Sequence, residues 1–234
     1  MKYLAIGNNT KTIKSDKGGE YLTAILYLAP ADTVEGVNLC PTAELAGCKS
    51  ACLYSAGRGA FSNVQAARIR KTIAFRDNPV AFVDTLADDI RKAQRKAGKL
   101  GVKLAVRLNG TSDIAWENQL GSNGLSLMDT FPETQFYDYT KLPTRKAPAN
   151  YHLTASYSAS NAKYARKAAA TKHNLAVVFR DALPAEYLGR KVVNGDKDDL
   201  RFLDPRGVVV GLLAKGKAKR DNSGFVVDNI IARG

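Results

Sequence analysis

The sequence predicts an α/β protein with mostly parallel strands, a complete or partial (β/α) TIM-like barrel built as a single domain over residues 1–234. Three observations carry that expectation. Apolar, β-favouring runs alternate with segments of helical periodicity, the order produced by a parallel sheet with crossover helices. The strand runs are nearly continuous in apolar residues, as in strands covered on both faces. A chain of 234 residues is long enough for one sizeable core and short for two.

Residues 21–28 (YLTAILYL) lie between Gly18-Gly19 and Pro30 and read as a buried strand. Ser62 or Asn63 can cap a helix running to about Arg76, and Asn78-Pro79 starts another. In the second helix Phe82, Val83, Leu86, Ala87, Ile90, Ala93 and Ala97 recur at helical spacing and form a core face. Asp84, Asp88 and Asp89 fall early and basic residues late, as the helix dipole favours, before Gly98 or Gly101 ends it. Residues 102–108 (VKLAVRL) form a second strand, with others expected at 134–139, 151–157, 175–179 and 208–213 and a basic helix at 162–172. In barrels and open parallel sheets, polar residues just after strand ends gather on one rim. Here they are Asn109, Gly110, Ser112 and Asp113, then Asp138, Tyr139, Ser156, Ser158, Arg180 and Asp181.

Lys plus Arg number 35 against 22 Asp plus Glu, a net charge of +13. A surplus of this size favours polyanionic partners, nucleic acid first among them, because neutralised phosphates release counterions. No run of 18 apolar residues exists to span a bilayer, and the N-terminus meets Asn8, Asn9 and Thr10 before a secretory apolar region can form. A cytoplasmic protein is expected. Lys14, Lys17, Gly18 and Gly19 do not complete a phosphate-loop pattern, and Ser156 and Ser158 lack a nucleophile elbow.

All three cysteines fall in one segment, Cys40, Cys48 and Cys52, spaced C-x7-C-x3-C. An odd, clustered set in a reducing compartment points to metal or redox chemistry before disulfides. Three thiolates can hold three irons of a 4Fe-4S cluster and leave the fourth open to a small ligand. Zinc is the alternative, with His152 or His173 the only histidines available as a further ligand, and three inert buried thiols are another.

The runs Gly7-Asn8-Asn9-Thr10-Lys11, Asn38-Leu39-Cys40-Pro41 to Gly47-Cys48, Ala51-Cys52-Leu53-Tyr54 with Gly57-Arg58-Gly59-Ala60-Phe61, and Val106 to Asp113 resemble the bacteriophage gene product 88 family. So does Asp199-Leu200-Arg201-Phe202-Leu203-Asp204-Pro205. The layout also resembles radical S-adenosylmethionine enzymes, in which a three-cysteine loop follows the first barrel strand; their usual spacing is C-x3-C-x2-C. That likeness implies a cluster on Cys40, Cys48 and Cys52, and S-adenosylmethionine against Asn109, Gly110, Ser112 and Asp113. The substrate would be nucleic acid or a nucleotide, DNA ahead of RNA, with phosphates tracked by Lys163, Arg166, Lys167, Lys215, Lys217 and Lys219.

A second reading resembles phage relatives of the tRNA-guanine transglycosylases. It implies structural zinc on the cysteines and catalytic carboxylates among Asp113, Asp138 and Asp181. A third is a nucleic-acid or host-factor binder without catalysis, in which Tyr137, Tyr139, Tyr151, Tyr157 and Tyr164 stack bases.

Overall fold

A computed structural model of the chain describes residues 2–6, 19–52, 54 and 56–228. The Gly7 to Lys11 run, Lys14, Lys17, Gly18 and Leu53 lie outside the described residues. Ten strands form one sheet: β1 (Leu4–Ile6), β2 (Tyr21–Leu26), β3 (Lys103–Arg107), β4 (Gln135–Thr140), β5 (Tyr151–Ser156), β6 (Asn174–Phe179), β7 (Glu186–Tyr187), β8 (Arg190–Asn194), β9 (Val209–Leu213) and β10 (Val226–Val227). Their order is β1-β2-β3-β4-β5-β6-β9-β8-β7. From β2 through β8 every neighbouring pair is parallel; the outermost strands, β1 and β7, run antiparallel to their neighbours. β10 pairs with the last two residues of β6, beyond the point where β5 stops.

The mixed α/β class and the parallel sheet agree with the sequence. The complete barrel does not: among the described residues no pairing joins β1 to β7, and the sheet stays open. Four strands were not expected: β1, β7 and β10, of only three, two and two residues, and β8, RKVVN, which is largely exposed or half-exposed. β1 is fixed from outside itself, because the buried Asp89 carboxylate accepts from the amides of Tyr3 and Leu4 at 2.6 and 3.3 Å.

Helix α1 (Ser62–Asp77) and helix α2 (Pro79–Lys99) meet at Asn78, whose side chain accepts from the amide of Ala81 and caps α2 ahead of Pro79. The inner stripe of α2 presses Phe82, Val83, Leu86 and Ile90 onto Leu22, Leu26, Leu104 and Val106, with Trp116 completing the layer. Each such side chain contributes about 1.5–3 kcal/mol by leaving water. After a single turn, α3 (Leu127–Thr130), helix α4 (Ala162–Ala169) covers a second core of Ala155, Leu175, Val177, Phe179 and Val209. α4 is shorter than the predicted 162–172. Arg190 explains where it stops, since its guanidinium donates to the carbonyls of Ala169, Thr171 and His173 and so satisfies the free helix end. No described helix is long and apolar enough to cross a membrane.

Alternation along the strands turns a different set to the opposite face. Tyr21, Ala105 and Tyr137 pack there with Leu200 and Phe202, beside Arg107, Tyr139, Asp199 and Arg201.

Candidate functional site at the carboxyl rim

Parallel strands deliver their carboxyl ends to one rim, and the cysteine segment is the loop that leaves β2. Its path is pinned by backbone bonds from Leu39 to Ala31 and from Asp113 to Leu39, and by the Asn38 side chain on the amide of Cys40. From Cys40 the chain winds through tight turns closed by Ala43 N to Cys40 O, Gly47 N to Glu44 O and Cys48 N to Ala43 O. Gly47 sits at φ +65, and a Cβ there would meet Ser160 at 2.7 Å, so only glycine lets this turn lie against the loop after β5.

Cys40 and Cys48 are buried in the core under α4, and Cys52 is half-buried. The Cys40 thiol points to the carbonyl of Thr111 at 3.8 Å and that of Cys48 to the carbonyl of Ala43 at 3.6 Å, while the amide of Tyr54 donates to Cys52 Sγ at 3.5 Å. Burial pushes the Cys40 and Cys48 thiols up; Lys141 pulls both the other way. Lys141, at the end of β4, is desolvated, and that loss is outweighed by Cys48, Asp113 and Cys40, so its pKa is raised. Its own amide donates to Asp113 Oδ2 at 2.7 Å. Loops after β2, β3 and β4 thus bring Cys40, Cys48, Cys52, Asp113 and Lys141 to one place.

The thiols fit an iron–sulfur cluster or zinc in kind: three sulfurs on one rim, a cation beside two of them and an amide on the third. Among the described residues no three His, Cys, Asp or Glu side chains stand at metal-holding positions, so the sulfurs must draw together to enclose an ion.

The turn expected to cradle a cofactor is occupied by its own bonds. Asn109 Oδ1 accepts from Ser112, the amide of Ile114 and the Trp116 indole, and its Nδ2 donates to Ile114 O and Asp138. A Cβ on Gly110 would lie 2.5 Å from the Tyr27 ring and 2.6 Å from Leu26 O, so this glycine serves the close approach of β2 to β3. Of the residues named for the cofactor, Asp113 alone joins the thiols.

Nor do the three expected catalytic carboxylates converge. Asp138 is wholly buried and accepts from the amides of Leu108 and Asn109 and from the Tyr151 hydroxyl; Asp181 is exposed. Asp113 and Asp138 are tied through Arg145, which lies 3.8 Å from Asp113, grips Glu117 with two bonds of 2.7 and 2.5 Å and donates to Tyr151 at 3.1 Å. Nothing local in the sequence marks Lys141 and Arg145 as members of the site. The tyrosines expected to stack bases are packing residues: Tyr137, Tyr151, Tyr157 and Tyr164 are buried, and Tyr139 lies under Arg107.

His173 Nε2 pairs with the Arg145 carbonyl. His152 is held down to about 4 by burial, helped by the charges of His173, Arg201 and Arg206. The folded state resists its protonation, so the stability it contributes is lost as pH falls from about 6.5 toward about 4. Burial moves Asp138 and Asp204 the opposite way, to about 6, and their contribution is complete at low pH and lost as pH rises through that value. His152→Gln should therefore gain on the parent protein as pH falls from about 7 to about 4.5, read from urea midpoints. An equal difference at both pH values would refute the assignment.

Lys163, Arg166 and Lys167 lie on the solvent face of α4, and Lys215, Lys217 and Lys219 are exposed on the loop after β9. Lys215 pairs with Asp196 at 2.6 Å. Lys217 and Arg220 border an open depression of about 340 Å³ that also touches Ser50, Ala51 and Ser223 at the end of the cysteine segment.

Fold and rim together define an α/β protein with an open, mostly parallel sheet and a thiol-bearing edge where such sheets place their chemistry. The chain matches the gene product 88 family over residues 3–229, and it belongs to that family of bacteriophage proteins. Comparison with curated proteins and with solved structures matched nothing.

Proposed function

We propose that this chain is an iron–sulfur enzyme of the radical S-adenosylmethionine kind, acting on nucleic acid or nucleotides in the cytoplasm of the infected cell. The observation that carries the reading is the meeting of Cys40, Cys48 and Cys52 with Lys141 and Asp113 at the carboxyl ends of parallel strands. The parallel run from β2 to β8 serves as a partial (β/α) barrel around the polar face that holds Arg107 and Asp199.

In this reading the three cysteines hold a 4Fe-4S cluster. Bound there, the cluster supplies an open iron able to bind and reduce S-adenosylmethionine. Lys141 favours the thiolates over the thiols and offsets part of their charge. Asp113 fixes the β4 end through the Lys141 amide and leaves Oδ1, which has no hydrogen bond, to a bound ligand. The exposed bases on α4 and after β9 hold phosphates, which makes binding weaken steeply with salt.

Anaerobic reconstitution tests this directly. The full chain should carry about four irons and turn brown, and Cys40→Ser, Cys48→Ser and Cys52→Ser should each lose the colour. S-adenosylmethionine should then alter the electron paramagnetic resonance signal of the reduced protein. A colourless protein that takes one zinc through the same cysteines overturns the cluster and favours the structural-zinc reading; one that takes neither overturns both.

A further inference from the structure

Among the described residues three arginines are buried, Arg68, Arg145 and Arg201, and Arg107 is half-buried. Arg107 is paired with Asp199, Arg145 with Glu117, and Arg201 with Asp198 and Asp204. Arg68 on α1 is only 8% exposed and has no such partner among the described residues. Its Nε and Nη1 are buried without any hydrogen bond, and the groups that favour its charge are Tyr27, Tyr54 and Cys52, with no carboxylate among them.

The group lies over two rings: its guanidinium carbon is 5.0 Å from the centre of Tyr27 and 5.4 Å from that of Tyr54. A cation–π contact engages the face of a guanidinium, and paired bonds to carboxylates and phosphates are made by its in-plane N–H edge. A Cβ on Gly59 would stand 3.3 Å from Nη1 and 2.6 Å from the Tyr54 carbonyl, so the turn beside the guanidinium is built without a side chain. One helical turn on, Lys71 adds a second positive charge and donates to the carbonyl of Tyr3. Burial, then Arg68, pulls Lys71 down to about 8. An unpaired buried cation is costly, and a fold that pairs its other buried arginines has kept this one beside the thiol of Cys52.

We propose that Arg68 is the receptor for an oxyanion, the carboxylate or phosphate group of a small molecule that enters the rim between Tyr27 and Tyr54. The bidentate edge of the guanidinium makes the contact, the two rings hold it in place, and Lys71 adds to the attraction. The site stands on Arg68 and its surroundings and does not depend on what the cysteines hold.

Thermal unfolding and calorimetry of the full chain provide the test, with inorganic phosphate and acetate as separate probes against chloride at equal ionic strength. At least one probe should raise Tm in a saturable way; the one that does assigns the ligand group as phosphate or carboxylate. Arg68→Met should unfold in chloride no lower than the parent, because it removes an unpaired charge, and should lose the response. Arg68→Lys, which keeps the charge and loses the fork, should bind about tenfold more weakly. The proposal is overturned if the parent responds to neither probe, if Arg68→Lys binds as tightly as the parent, or if Arg68→Met keeps the response. It also fails if Arg68→Met unfolds lower in chloride, since that would make the arginine a structural element.

Discussion

Replacing Arg145 with Met should lower the stability of the fold by about 3–5 kcal/mol, the cost of stranding buried charges. The side chain of Arg145 is 4% exposed and that of its partner Glu117 is 11% exposed, so the carboxylate has little water to turn to. Asp113 also loses its neighbouring cation, and the Tyr151 hydroxyl, which donates to Asp138, loses a donor of its own. Urea denaturation reads the effect as a shifted midpoint at unchanged slope. The double variant Arg145→Met with Glu117→Leu should recover most of the loss, because replacing both members of a buried pair by apolar groups is often neutral. A single-variant loss below about 1 kcal/mol would show that the pair behaves as an exposed one.

The second large effect concerns the β2–β3 contact. Gly110→Ala should cost about 3 kcal/mol, at the upper end for overpacking, because the new methyl meets a backbone carbonyl, Leu26 O, that cannot move without shifting β2. The amide of Gly110 donates to that same oxygen at 3.0 Å, so displacement also weakens a bond inside the rim. For a chain of this length the expected fall in Tm is roughly 6–12 °C. Gly98→Ala supplies the control. That glycine is in α2 with open space around it, and alanine there should stabilise by about 1 kcal/mol. Equal responses at the two positions would remove the steric argument.

How far the fold could be read in advance depended on what each segment does to water. The runs at 21–28 and 102–108 are covered on both faces, so their apolar continuity announces them, and α2 announces itself by periodicity and by Asn78-Pro79. β7 and β10 are two residues each and β8, RKVVN, is half-exposed; they exist because longer neighbours offer free edges, a property of the assembled sheet. Closure of the barrel was beyond reach for the same reason.

At the site, the cysteine spacing was visible because thiols have few uses. The polar residues after β3 were rightly placed at the rim, yet the Asn109 side chain is spent on the amide of Ile114, the Trp116 indole and Asp138, which only folding brings near. Lys141, Arg145 and Arg68 were hidden in the +13 surplus. A basic residue in a basic sequence looks like solvated surface until its neighbours are known.

The cysteine turn is braced from far along the sequence: Ser223 Oγ donates to the Gly47 carbonyl across 176 residues, and the Ala159 amide donates to the Gly224 carbonyl. During synthesis on the ribosome the early turn therefore emerges long before its last supports. Until those residues clear the exit tunnel, the thiols of a nascent chain lack their final clamp, and ordering of this corner waits on residues made long after the cysteines.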